Sequence, residues 1–169
     1  MRVLATERLF LRHLGADDAA FMRELLNDAS FIENIGDRGV RTEPDARRYI
    51  LDGPVASYER YGYGLYLVEL QSTGEAVGLC GLVKRDYLDD PDVGFAFLAN
   101  FRRQGYAVES AAAVKAHALG ELGLTRLLAI TTLGNLRSMR VLERIGFSFE
   151  RVIAPPGTGE MLRLYSTDP

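Results

Sequence analysis

The stretch with the most evident capacity for chemistry is Phe97-Leu98-Ala99-Asn100-Phe101-Arg102-Arg103-Gln104-Gly105-Tyr106-Ala107, an apolar run leading through a basic turn into an alanine-rich segment. The pattern predicts a strand, a turn and a long helix in that order. The first turn of a helix exposes unpaired N–H groups and partial positive charge. At Gly105 there is no side chain to keep a bulky anion away from those groups. Arg102 and Arg103 add guanidinium forks, which suit phosphate oxygens. These residues could form a diphosphate cradle; a glycine-containing turn with solvated arginines fits the same letters. About thirty residues on lies Asn135-Leu136-Arg137-Ser138-Met139-Arg140-Val141-Leu142-Glu143-Arg144-Ile145-Gly146-Phe147, read as a short helix with Asn135 as its cap. Other chemistries find little support. His13 and His117 stand apart from any metal-ligand spacing. Asp89-Asp90-Pro91-Asp92 lacks the glycine and terminal glutamate of a calcium loop. Neither a phosphate-loop lysine nor a Gly-x-Ser-x-Gly elbow occurs.

Such residues need a scaffold, and the composition supports one. The chain has 169 residues, 20 basic and 23 acidic side chains and a net charge of −3. That length and an ordinary apolar content predict one mixed α/β domain over 1–169, with no linker or repeat dividing it. A pI near 5.5 argues against a dedicated nucleic-acid binder. No apolar run reaches membrane-spanning length, and Met1–Phe10 carries charges where a signal peptide would be apolar. Cys80 is alone, which excludes a disulfide framework and suits a small buried hydrophobe. The expectation is a soluble, cytoplasmic protein without nucleic-acid or membrane partners and without a metal.

Seven strands and four helices form the working count. Strands are expected around 8–12, 63–70, 76–83, 93–98, 126–132, 147–153 and 161–166, with Gln71–Glu75 as a hairpin loop. Helices should begin near Asp17-Asp18, at Thr42-Glu43-Pro44-Asp45, at Ala107 and at Asn135. The second should run towards Tyr58, with Gly53-Pro54 breaking or kinking it. Asn27–Arg41 reads as a polar loop.

Arg102-x-x-Gly105-x-Ala107 resembles the acyl-CoA diphosphate loop of the GNAT-type N-acetyltransferases. Asn135-x-x-Ser138 with Val141-Leu142-Glu143-Arg144-x-Gly146-Phe147 is similar to the second signature of the branch that includes the Rim-type ribosomal-protein N-terminal acetyltransferases. Thr6-Glu7-Arg8-Leu9-Phe10-Leu11-Arg12 with Asp17-Asp18-Ala19 resembles that branch's N-terminus. The resemblance implies the GNAT fold: a central, mostly antiparallel six- to seven-stranded sheet flanked by about four helices. Its fourth and fifth strands splay in a V, here those around 93–98 and 126–132, and acetyl-CoA inserts there. Main-chain groups near Phe97 and Leu98 would meet the pantetheine arm. N–H groups among Arg102, Arg103, Gln104, Gly105, Tyr106 and Ala107 would hold the diphosphate. The amine would attack the thioester directly in a ternary complex.

Catalytic candidates follow from the same resemblance. Ser138 would hydrogen-bond the departing thiolate, and Asn135 would bind pantetheine or a water, act as a helix cap, or both. Asp92 falls where many relatives carry a glutamate and is either a water-relayed base or a turn aspartate. Many relatives carry a tyrosine acid where this chain has Leu142, which leaves Ser138 as its replacement. Val108 stands where a hydroxyl is common. Arg137, Arg140 and Arg144 either approach the nucleotide or form a solvated face. The implied partners are acetyl-CoA and an amine acceptor, first a protein or peptide N-terminus. The alternatives are a small amine (polyamine, amino acid, antibiotic) or a non-catalytic acyl-CoA-binding module. A homodimer is an open option.

Overall fold

Short alternating apolar segments, each with one face to bury, pair into a single sheet in the computed structural model, which describes residues 1–167. The strands are β1 (Arg2–Ala5), β2 (Leu9–Arg12), β3 (Leu65–Leu70), β4 (Ala76–Val83), β5 (Asp92–Phe97), β6 (Leu128–Thr132), β7 (Ser148–Ile153) and β8 (Leu162–Ser166). Among the described residues they lie in the order β1-β2-β3-β4-β5-β6-β8-β7. Every neighbouring pair is antiparallel except β5 and β6. The mixed α/β class is as expected. The count is eight strands rather than six or seven, because Arg2–Ala5 pairs with β2 and Arg2 lies over the Phe10 ring, 3.7 Å from its centroid. With that strand counted, the expected splay falls between the fifth and sixth.

The helices are α1 (Ala19–Leu26), α2 (Ala29–Asn34), α3 (Glu43–Ile50), α4 (Ala56–Tyr61), α5 (Tyr106–Leu119) and α6 (Leu136–Arg144). Six helices among the described residues, against about four expected, have two local causes. In the stretch read as loop, Asp28 caps α2 by accepting from Ser30 N and Phe31 N, and Phe31 is buried. The helix begun at Thr42 does not stop at Gly53-Pro54; it widens into a π-turn over Leu51–Val55 and resumes as α4. Its start is as read: Thr42 Oγ1 accepts from Asp45 N and Asp45 Oδ2 from Thr42 N, each at 3.2 Å.

Both sheet faces are covered. On one, Leu9, Leu11, Cys80, Leu82 and Phe97 pack under α5 and α6, which contribute Ala111, Val114 and Leu142. On the other, Leu67 and Leu79 meet Met22, Leu25, Phe31 and Ile50 from α1, α2 and α3. Burial pushes the Cys80 thiol up to about 12, as suits a packing residue. Among the described residues, no helix is long and apolar enough to cross a membrane.

Candidate functional site

The sheet is continuous in hydrogen bonding except at one seam. The β4–β5 ladder registers from Val83↔Asp92 to Gly78↔Phe97, whereas β5 and β6 register only at Asp92↔Leu128, next to a bond from Leu128 N to Pro91 O. Beyond that point the two parallel strands part. Leu98 N donates to Val77 O, so Leu98, expected at the pantetheine arm, turns its N–H to β4, and strand alternation turns the main-chain groups of Phe95 and Phe97 into the seam instead. By the same alternation Ile130 and Thr132 face it from β6. This is the expected V, lined by backbone groups that lack a neighbouring strand.

Because the strands are parallel, both lead out at the same end of the seam. From β5 the chain passes a short 3₁₀ turn, Ala99–Phe101, and reaches α5 through Arg102–Gly105. Gly105 has φ +84° and no side-chain cap, and Arg103 has φ +62°. A left-handed arginine costs about 1–2 kcal/mol, and strain of this kind concentrates at functional turns. Two left-handed residues flank Gln104, and turns that alternate in this way can gather backbone N–H groups suited to an anion. The helix behind it leaves its first N–H groups without intrahelical partners. From β6 the chain enters α6, where Asn135 Oδ1 accepts from Ser138 N at 3.2 Å. Asn135 and Ser138 are half-buried in that first turn. Thr131, next to the open end of β6, has a buried hydroxyl without a hydrogen-bond partner. A backbone seam that ends at a helix start opened by a glycine fits an extended ligand with an anionic end, as acetyl-CoA is.

Other expected residues take different partners. Arg102 donates from Nε to Phe97 O at 3.0 Å and from a terminal nitrogen to Asp28 Oδ1 at 2.5 Å. Its guanidinium therefore ties the end of β5 to the cap of α2, and what it brings to the cradle is main chain. Gln104 donates to Asn100 O at 3.0 Å, while Tyr106 and Ala107 form the first turn of α5. Leu142, at the position where the resemblance implies a tyrosine in many relatives, is buried in the core. Arg137, Arg140 and Arg144 are exposed.

Asp92 lies at the closed end of the seam, about 17 Å along β5 from Phe97 at strand rise. It is 1% exposed, and its carboxylate accepts from Arg85 Nε at 2.8 Å. Burial pushes its carboxyl above the usual value, with Arg85 pulling the other way. Of the two roles read for it, this pairing favours the structural one, because a base needs access to the amine or to a water.

The single sequence hid both Asp28 and Arg85. Asp28 precedes Ser30 and Phe31 in a pattern that does signal a helix cap; nothing local marks Arg85. Also unforeseen is a cluster around Glu109, an acid in the first turn of α5 that holds Thr6 and Arg8.

Comparison with known proteins gives the family and the fold. A family profile described as "Acetyltransferase (GNAT) domain" matches residues 8–148. The Bacillus subtilis (strain 168) protein YkkB, itself described as uncharacterized, is 28% identical over 153 residues, 89% of this chain and 87% of that one. An acetyltransferase from Agrobacterium tumefaciens str. C58 is 27% identical with a TM-score of 0.82, covering 98% of this chain and 94% of its own. RimL, a ribosomal L7/L12 alpha-N-protein acetyltransferase solved in complex with coenzyme A, shares the fold with a TM-score of 0.84 at 18% identity, over 99% and 100% of the two chains.

Proposed function

The chain belongs to the GNAT acetyltransferase family, and from that premise we propose that it transfers the acetyl group of acetyl-CoA to the N-terminal α-amine of a protein or peptide. The observation that carries the reading is the seam, with its backbone edges and left-handed cradle at one end. Acetyl-CoA, when bound, supplies the acetyl group as a thioester. N–H groups from Arg103 to Ala107 hold its diphosphate. Main-chain groups of Phe95 and the N–H of Phe97 pair with the pantetheine arm, and an N–H among them polarises the thioester carbonyl. Asn135 orders the start of α6, and Ser138 Oγ donates to the departing thiolate, whose thiol pKa of roughly 8–9 calls for only modest help. Asp92 holds Arg85 and the loop after β4. The whole chain, 1–169, works as one cytoplasmic domain.

The acceptor follows from proton chemistry. A peptide α-amine has a pKa of about 7.7–8.0 and lysine about 10.4, a difference of about 3.4 kcal/mol in reaching the free base at neutral pH. A site whose one candidate base is buried on an arginine suits the amine that is already partly free. The fold shared with RimL supports the same choice.

Thiol release from acetyl-CoA tests it, with three acceptors at pH 7.5: a peptide with a free N-terminus, its Nα-blocked lysine-containing counterpart, and spermidine. Turnover should be fastest with the first. Preference for spermidine would move the function to small amines. Tight acetyl-CoA binding without release under any amine would leave a non-catalytic module.

A further inference from the structure

The loop before α5 is gripped from outside by residues that the cofactor reading leaves unused. Glu109 accepts from Thr6 Oγ1 at 2.5 Å and Arg8 N at 2.9 Å on one oxygen, and from Arg8 Nε at 2.7 Å on the other. Burial alone would raise its carboxyl, but the hydrogen bonds from Thr6 and Arg8 hold it below the usual value. Arg8 then donates to Gln104 O at 2.9 Å, and its guanidinium lies over the Tyr106 ring, 4.4 Å from the centroid. A Cβ placed on Gly105 would come within 3.2 Å of the remaining terminal nitrogen, Nη2. One guanidinium, delivered by the β1–β2 turn, thus crosses Gln104, Gly105 and Tyr106 in succession.

The Arg8 side chain is 43% exposed, but it is held at more points than the flexible side chains of an ordinary surface ion pair, which contributes little. Arg8 is fixed through Nε, Nη1 and the ring face. Nη2 is left beside the residue whose missing side chain opens the helix terminus. A pinned cation with one free edge, next to unpaired helical N–H groups, is the geometry of an anion ligand. We propose that Arg8 is a ligand of the cofactor's diphosphate, with Glu109 and Thr6 as the residues that position it. The proposal rests on the acetyl-CoA reading of the seam.

Binding, rather than turnover, tests it. Dissociation constants of CoA and 3′-dephospho-CoA are measured by calorimetry between 50 and roughly 300 mM salt, a range over which screening of a charge pair changes strongly. Each protein's melting temperature without ligand verifies folding. Arg8→Gln should weaken both ligands by the same factor, roughly 10- to 100-fold, and make the salt dependence shallower. Arg8→Lys should lose less and keep the salt dependence. Glu109→Gln, which leaves the guanidinium in place but less constrained and removes a negative charge beside the anion, should lose a smaller factor and keep or steepen the salt dependence. Unaltered affinity in Arg8→Gln would overturn the proposal. So would a loss confined to CoA, which would mean a 3′-phosphate contact, or a loss without change in salt dependence, which would mean a clamp alone. Wild-type protein that fails to bind CoA would instead remove the cofactor reading itself.

Discussion

Replacing Gly105 by alanine separates the backbone role of this position from its ligand role. An L-residue at φ +84° costs about 1–2 kcal/mol. For a domain of this size that lowers the melting temperature by about 2–8 °C. The new Cβ would also meet Arg8 Nη2 at 3.2 Å and project where the diphosphate is expected. Gly74, in the β3–β4 hairpin, provides the control: its φ is +76° and a Cβ there would meet nothing within 4 Å. Both alanine variants should lose similar stability without ligand. With acetyl-CoA at about 100 times the wild-type dissociation constant, wild type and Gly74→Ala should each gain about 2.7 kcal/mol, a rise of about 5–10 °C. A tenfold affinity loss in Gly105→Ala cuts that gain to about 1.4 kcal/mol, so the rise falls by about half. Differential scanning with and without ligand reads all of this. Equal ligand-induced rises in the two variants would refute the cradle.

Ser138→Ala should lower kcat for thiol release by about tenfold or more while leaving the acetyl-CoA dissociation constant unchanged; an unchanged kcat would remove Ser138 from the chemistry. In Asp92→Asn, Arg85 loses its carboxylate partner, so urea denaturation should show a loss of about 1–3 kcal/mol, while the acid limb of the kcat/KM profile still follows the acceptor amine. Movement of that limb would make Asp92 the base. Asp28→Ala removes the cap of α2, worth about 0.5–2 kcal/mol, together with the Arg102 partner, and a double-mutant cycle with Arg102→Ala should show coupling above about 0.5 kcal/mol. The Asp18 carboxyl is raised by burial but more strongly lowered by hydrogen bonds and charge from Arg12 and by a bond from Gly15 N. Its folded pKa therefore lies below the unfolded 3.8, so this contribution is complete above about pH 4 and is lost as pH falls through the folded value. Asp18→Asn should flatten the acid side of the stability curve, measured by urea midpoints.

What could be read in advance follows the range of the interaction. Thr42 and Asp45 sit three residues apart, as do Asn135 and Ser138, so both caps show in the letters. The Gly105 turn is similarly local. Asp28 and Arg102 are 74 positions apart, and Thr6 and Glu109 are 103 apart. One chain carries no mark of such pairings, and without them Arg102 looks like a free phosphate ligand and Arg8 like an ordinary strand residue. The four-residue β1 and six-residue α2 were obscured differently. Each offers little periodicity to read and is stabilised by contacts made elsewhere: β1 by its ladder with β2 and Arg2 on Phe10, α2 by Phe31 in the core.

The single rung at Asp92–Leu128 also bears on how the chain assembles. The strands on one side of it, β1 to β5, pair strictly with sequence neighbours, and β6 to β8 close among themselves. Each half-sheet is therefore contiguous in sequence; β1–β2, β3–β4, β4–β5 and β7–β8 are joined by short loops that favour early local pairing, while β2–β3 is bridged through α1 to α4 and β6–β7 through α6. Their docking, through the α5 crossover, is the long-range event. A ligand laid along the parted edges acts as a removable strand that splints two subdomains. Amide exchange in β5 and β6 should accordingly slow on binding more than exchange in β2 and β3, which already have both neighbours.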